Sequence, residues 1–307
     1  MKTLRTAVVD YLTLRRALGY KLHRLERLLQ RFVAFLEAHE ADYITTKLAL
    51  DWASFPPTSQ AATGSQRLTA VRLFAQYRCV EDPRTEIPPA PLFTQRPRRA
   101  TPYIYSDEEI RRLLDACHTL RSKGLRHHTY YAFFGLLAAT GCRISELMAL
   151  HRDDFRARER LLIIRGAKFG KSRLIPLHPS TFQQLDTYQQ LREQYHPKPK
   201  VDRFFLSDQG TALTPSSARH AFIRLSEDIG LRKPTDSHGP RIHDLRHTFA
   251  VKTILQWYQN GVDVNQKMPF LSAYLGHKKP SDTYWYLTGT PSLLAVAATR
   301  LEEHLGE

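Results

Sequence analysis

The chain has 307 residues, 42% of them hydrophobic, which is enough for two ordinary domains with real cores. Its 45 Lys and Arg against 30 Asp and Glu give a net charge of +15, which suits a polyanion better than a small neutral substrate. Three widely spaced cysteines, Cys79, Cys117 and Cys142, with no CxxC, indicate neither a disulfide framework nor a zinc site. The N-terminus has no signal-peptide core, and the most apolar run (130–139) is too short to cross a bilayer. A soluble cytoplasmic protein with no membrane partner is therefore expected. The basic excess is spread along the chain, with 16 basic and 9 acidic residues in 1–100. Both halves can thus contribute to one phosphate-binding surface.

Residues 3–40 read as helix. Leu25, Leu28, Leu29, Phe32, Phe35 and Leu36 recur at three and four residues with charges between them. FPPTSQAATGS (55–65) breaks the pattern, and a second helical stretch covers 65–80. A Pro- and Arg-rich run without periodicity follows over 81–102 and reads as an interdomain linker, in which Arg96, Arg98 and Arg99 are candidate phosphate contacts. Ser106 with Glu109 forms a capping box that opens the next helix. The apolar segment 130–140 reads as a core helix ending at Gly141. Residues 161–177 read as two strands around a polar turn. Helices are expected near 180–194, 215–229, 243–258 and 291–304. The last begins at Pro291 and carries an apolar stripe of Leu293, Leu294, Ala297, Ala298 and Leu301. That stripe must be buried on its own domain or on a neighbouring protomer.

Phosphodiester transfer needs a nucleophile, cations around the phosphate and an acid for the leaving oxygen. Four segments carry suitable residues in order: ATGCRISELMAL (139–150), RGAKFGKSRLIPL (165–177), HDLRHTFA (243–250) and LGHKKPSDTYWY (275–286). This set resembles the catalytic domain of the tyrosine recombinase (phage integrase) family from about residue 104 to the end. The stretch 260–277 is a few residues longer than the loop usual before LGH in that family.

The resemblance implies a mainly helical fold with a small β element. Residues 1–92 would form a helical, SAM-like core-binding domain, 93–103 a basic linker, and 104–307 an α+β catalytic domain with a C-terminal helix. Carried over residue by residue, Arg143 and Arg246 would clamp the non-bridging oxygens of the scissile phosphate, a task suited to a planar, permanently charged fork. His243, on the same helix face as Arg246 three residues on, would donate to the phosphate or shuttle a proton, and His277 would be the second active-site histidine, hydrogen-bonding the phosphate. Lys168 and Lys171 compete for the hairpin role of protonating the departing 5′ oxygen; the family pattern aligns Lys168 with it, leaving Lys171 and Arg173 as DNA-backbone contacts or solvated charges. The spacing of nine from His277 selects Tyr286 over Tyr284 as the nucleophile. His247 reads as a structural core histidine.

The expected function is a site-specific DNA recombinase acting through a covalent 3′-phosphotyrosyl intermediate in integration, excision or transposition of a mobile element. Its partners would be double-stranded DNA and further copies of itself, as a tetramer, or related recombinases; bound to DNA it would be nucleoid-associated. The alternatives are a type IB topoisomerase-like enzyme, which uses related residues, and a non-catalytic DNA-binding protein of the same fold. A metal-dependent nuclease is disfavoured because no carboxylate cluster has metal-ligand spacing, so no metal or other cofactor is expected.

Overall fold

The computed structural model describes residues 2–56, 61–90, 101–122, 124–166, 172–236, 239–277, 279–289 and 293–295, with 298 and 302. The chain divides into two compact units, 1–99 and 100–307. No helix among the described residues is long and apolar enough to cross a membrane.

The first unit holds α1 (Leu4–Ala17), α2 (His23–Ala38), α3 (Thr46–Ser54) and α4 (Ala61–Arg78). Apolar side chains at three- and four-residue spacing bury one stripe on each of the first two helices: Leu4, Ala7, Val8, Tyr11 and Leu12 on α1, and Leu29, Phe32, Val33 and Leu36 on α2. The single helix expected over 3–40 is two helices. Gly19, at φ +86°, and Leu22, in the left-handed region, break it. The chain then folds back, so that Arg5 pairs with Glu37 and Arg16 with Glu26, which sets α1 and α2 antiparallel. The first part of the expected linker belongs to this unit. Glu86 caps α3 by accepting from the Thr46 amide (2.7 Å), its own amide donates to Ile44 O, and Asp82 is buried beside Arg78 and Arg84. Arg96, Arg98 and Arg99 lie outside the described residues.

In the second unit, α5 (Asp107–Cys117) starts at the Ser106/Glu109 capping box. Next comes α6 (Arg126–Thr140), which starts four residues earlier than the apolar run indicated. It buries Tyr130, Phe133, Phe134, Leu136 and Leu137 in the main core, as a helix apolar on most sides must. The short α7 (Ile144–Met148) leads into an antiparallel meander of β1 (Phe155–Arg156), β2 (Leu161–Ile164) and β3 (Arg173–Pro176). Leu162 faces Ile175 and Ile164 faces Arg173 across the β2–β3 pair, and Leu162, Ile164 and Ile175 point into the core. The turn carrying Lys168 and Lys171 lies outside the described residues.

The helices α8 (Pro179–Tyr195) and α9 (Pro215–Asp228) both begin with proline at the first helical position. The chain continues through α10 (Ile242–Gln259), α11 (Val264–Leu275) and α12 (Ser281–Gly289). The long stretch before LGH is thus helix α11, capped by Asp263 and containing Pro269. Of the apolar stripe expected at the C-terminus, Leu293 is buried in the same cluster as Tyr286, whereas Leu294 and Ala298 are exposed; Ala297 and Leu301 lie outside the described residues.

Candidate active site

Two helix ends build the floor of the site. The helix α6 stops at Gly141, whose φ of +60° terminates it and whose absent side chain makes room for Phe249: a Cβ there would lie 2.6 Å from that ring. Likewise α11 stops at Gly276, at φ +67°, where a Cβ would lie 3.0 Å from Arg173 Nη1 and 3.3 Å from Arg143 Nη1. The freed carbonyls at these ends hold the arginines. Arg246, on the first turns of α10 and 3% exposed, donates Nη1 to Gly141 O and Nη2 to Leu275 O, both at 2.7 Å. Arg143, at the start of α7, donates Nη2 to Gly276 O at 2.7 Å. Consecutive carbonyls of the LGH segment therefore fix both guanidiniums.

Glu146 joins the rest. It accepts from the Arg143 amide (2.8 Å) and Nη1 (2.7 Å), and from Arg173 Nη1 (3.0 Å) and Nη2 (2.7 Å). Arg173 is therefore not a solvated charge: its side chain is 13% exposed and doubly bonded to the carboxylate on α7. Burial alone would push the Glu146 carboxyl up, but the hydrogen bonds from Arg173 and Arg143 outweigh it and hold the group at about 2. For Arg246, burial and then the neighbouring Arg143 bring the guanidinium down to about 10, against a smaller opposing pull from Tyr286. Arg143 and Arg173 share one carboxylate and Arg246 is held by carbonyls alone, so the three arginines leave the site short of negative charge.

The Glu146 network has a stability signature. A carboxyl held at about 2 when folded and near its ordinary value of 4.5 when unfolded stabilises the fold above pH 4.5, and loses that contribution as pH falls towards 2. The expected loss is about 2–3 kcal/mol. Urea unfolding of the parent chain at pH 7 and pH 3 should show it, and Glu146→Gln should be less stable than the parent at pH 7 and less sensitive to that pH change. Equal pH sensitivity in the two proteins would refute the assignment.

The histidines and tyrosines come from α10 and α12. His243 is open to solvent on one side, yet desolvation, then Arg246, lowers its pKa, which favours the neutral ring. His277, just past α11, makes a 2.7 Å hydrogen bond through Nδ1 to Thr283 Oγ1, and its ring stacks on that of Tyr286 at 6.4 Å. Tyr286 is 1% exposed, with its hydroxyl 3.1 Å from His247 Nδ1. Tyr284, two residues away on α12, is 38% exposed. The structure thus brings Arg143, Arg173, His243, Arg246, His277 and Tyr286 into one region of the second unit. It also adds two residues that sequence reasoning left aside. These are Glu146, in the SEL segment beside Arg143, and His247, which the pattern places only in the core. Among the described residues no group of three or more His, Cys, Asp or Glu side chains is placed to hold a metal.

The phage integrase family model matches residues 104–292. Over 98% of its own length and 98% of the relative's, the chain is 47% identical to the integrase/recombinase designated y4rB of Sinorhizobium fredii. It is 30% identical to the tyrosine recombinase XerD of Brucella abortus, covering 85% of this chain and 81% of the other. Among solved structures, the Tn1549 transposon integrase in complex with transposon right-end DNA superposes with a TM-score of 0.69 at 17% identity, covering 100% of both chains. A lambda integrase dimer bound to a COC′ core site gives 0.62 at 17% identity, covering 93% of this chain and 77% of that one; both likenesses concern the fold. With its family match and its relatives in agreement, the chain belongs to the phage integrase family and is a tyrosine-type site-specific recombinase.

Proposed function

We propose that the protein cuts and rejoins duplex DNA at a specific site through a covalent 3′-phosphotyrosyl intermediate on Tyr286, in the integration, excision or transposition of a mobile element. The observation that carries this reading is the charge imbalance beside the tyrosine. Arg143 and Arg173 share the Glu146 carboxylate, and Arg246 is buried against carbonyls rather than paired with an anion. A phosphodiester supplies the missing charge, and the pentacovalent transition state supplies more of it. Arg143 and Arg246 hold the non-bridging oxygens, His243 and His277 donate to the phosphate, and Lys168 protonates the leaving 5′ oxygen. The aryl ester then keeps the bond energy for religation.

In this reading residues 1–92 are the core-binding domain, 93–103 the linker over the DNA and 104–307 the catalytic domain. Arg96, Arg98, Arg99, Lys171 and Arg173 contribute to the DNA-facing surface, with Arg173 also bracing Glu146. The protein works as a tetramer of its own or related chains around two duplexes, nucleoid-associated while bound, and the C-terminal segment after Leu293 reaches a neighbouring protomer. DNA-bound, dimeric and tetrameric assemblies among the structural neighbours support this reading.

The test starts from DNA crosslinked to the protein in cells, which identifies the site. A suicide substrate carrying that site should then trap a covalent protein–DNA adduct in the presence of EDTA, since the cations that act are side chains. Strict dependence on Mg²⁺, or the absence of any adduct, would overturn the proposal.

A further inference from the structure

With His243 and His277 donating to the phosphate, the phenol's own proton falls to another group. A tyrosine hydroxyl ordinarily ionises near pH 10, so at neutral pH only about one in a thousand is the phenolate. Attack on phosphorus therefore needs a base on the phenol oxygen, and imidazole, with an ordinary pKa near neutrality, is the side chain best matched to that task.

Three histidines surround Tyr286, and they are not equivalent. His277 stacks its ring on the tyrosine but directs Nδ1 to Thr283 Oγ1. His243 is on the solvent side of α10, one turn before His247, with its ring edge-on to that residue at 4.8 Å. His247 is buried, and its Nδ1 lies 3.1 Å from the Tyr286 hydroxyl itself. Trp285 packs against the same imidazole at 5.8 Å, so the ring is fixed from the α12 side. His247 also follows Arg246 directly in the chain, so one helical turn carries both a phosphate-binding cation and the group on the attacking oxygen.

Resting on the reading of Tyr286 as nucleophile, we propose that His247 is a catalytic residue, the proton acceptor for Tyr286. As the phenol oxygen forms its bond to phosphorus, its proton passes to His247 Nδ1, the bond between phosphorus and the 5′ oxygen breaks, and that oxygen takes a proton from Lys168. Religation runs the same path backwards. The 5′ hydroxyl gives its proton to the neutral lysine and attacks phosphorus, and the departing phenolate recovers its proton from His247. The resting tautomer this requires has Nδ1 unprotonated and accepting from the phenol, with the proton on Nε2.

The experiment measures single-turnover cleavage of the suicide substrate by the full chain. His247→Asn keeps an amide that can hold the hydroxyl but cannot take its proton. Its cleavage rate should fall by roughly 10²–10⁴, the usual range for a lost general base, with DNA affinity unchanged. Replacing Tyr286 by a difluorotyrosine, whose phenol is more acidic, should recover about tenfold or more of that loss in the Asn variant. In the parent background the same replacement should change the rate by less than about threefold, because His247 already carries the proton. Parent-like cleavage by His247→Asn would overturn the proposal, and so would a loss that the fluorinated phenol does not recover, which would mark His247 as packing only. If the Asn variant fails to fold, the parent background decides: a steep rise in rate with phenol acidity there means that the phenol ionises unaided, and the proposal falls. Peptide mapping of the adduct separates the two layers. An adduct on another residue refutes the nucleophile itself, whereas an adduct on Tyr286 with a rate indifferent to His247 refutes only the base.

Discussion

Tyr286→Phe is expected to bind its DNA site as tightly as the parent and to form no covalent adduct at all, while Tyr284→Phe still forms it. The two residues lie two apart on α12, but their environments are opposed. Tyr286 is enclosed among His247, His277 and Trp285 with its hydroxyl bonded to an imidazole, whereas Tyr284 is 38% exposed. Removing one hydroxyl leaves the ring packing of α12 in place and deletes the nucleophile, so the loss should be complete rather than partial. DNA affinity should survive because it is spread over many phosphate contacts from a chain of net charge +15. The Phe variant also removes the hydrogen bond between the hydroxyl and His247 Nδ1, a loss of about 0.5–1.5 kcal/mol that a melting curve would register without unfolding the protein. Adducts of denatured protein with labelled substrate, resolved by gel and mapped by mass spectrometry, settle the comparison. An adduct persisting in Tyr286→Phe, or vanishing in Tyr284→Phe, would move the nucleophile.

What the sequence made legible was local. A histidine and an arginine three apart share a helix face, so the spacing alone pairs His243 with Arg246, and the capping box at Ser106 locates α5. Contacts that span the fold were not legible. The bond between His247 and Tyr286 joins positions 39 apart and exists because α12 packs on α10; at the level of pattern, His247 was simply one more residue on a buried face. Arg173 looked like a hairpin-end charge free to meet DNA, and only the register of β3 against α7 reveals that Glu146 holds it. Gly19 marked the break between α1 and α2, but the apolar spacing on either side continued well enough to hide it. Neither α3 nor α11 was read, the first because it is only nine residues long, the second because Pro269 sits inside it.

Arg246 offers the sharpest test of where the site spends its charge. Arg246→Ala should lower the cleavage rate by about 10²–10³ or more, the loss typical of a donor aimed at developing transition-state charge. DNA affinity should fall far less, since one phosphate contact among many is removed. Arg246→Lys should not restore the rate. The native guanidinium uses separate nitrogens for Gly141 O and Leu275 O, 2.7 Å from each, and keeps a planar face and its remaining N–H groups for a phosphate; an ammonium can reproduce the charge but not that division of labour. Arg143→Ala should behave similarly but should also release Glu146 from one of its two arginines, so its melting temperature is expected to fall together with its rate. The comparison that decides is between cleavage and binding measured on the same site at the same salt. If Arg246→Ala loses both to the same extent, the residue is a phosphate anchor that grips DNA before and during reaction alike. If the rate collapses while binding holds, the guanidinium is complementary to the transition state, and the two carbonyls at the ends of α6 and α11 exist to aim it there.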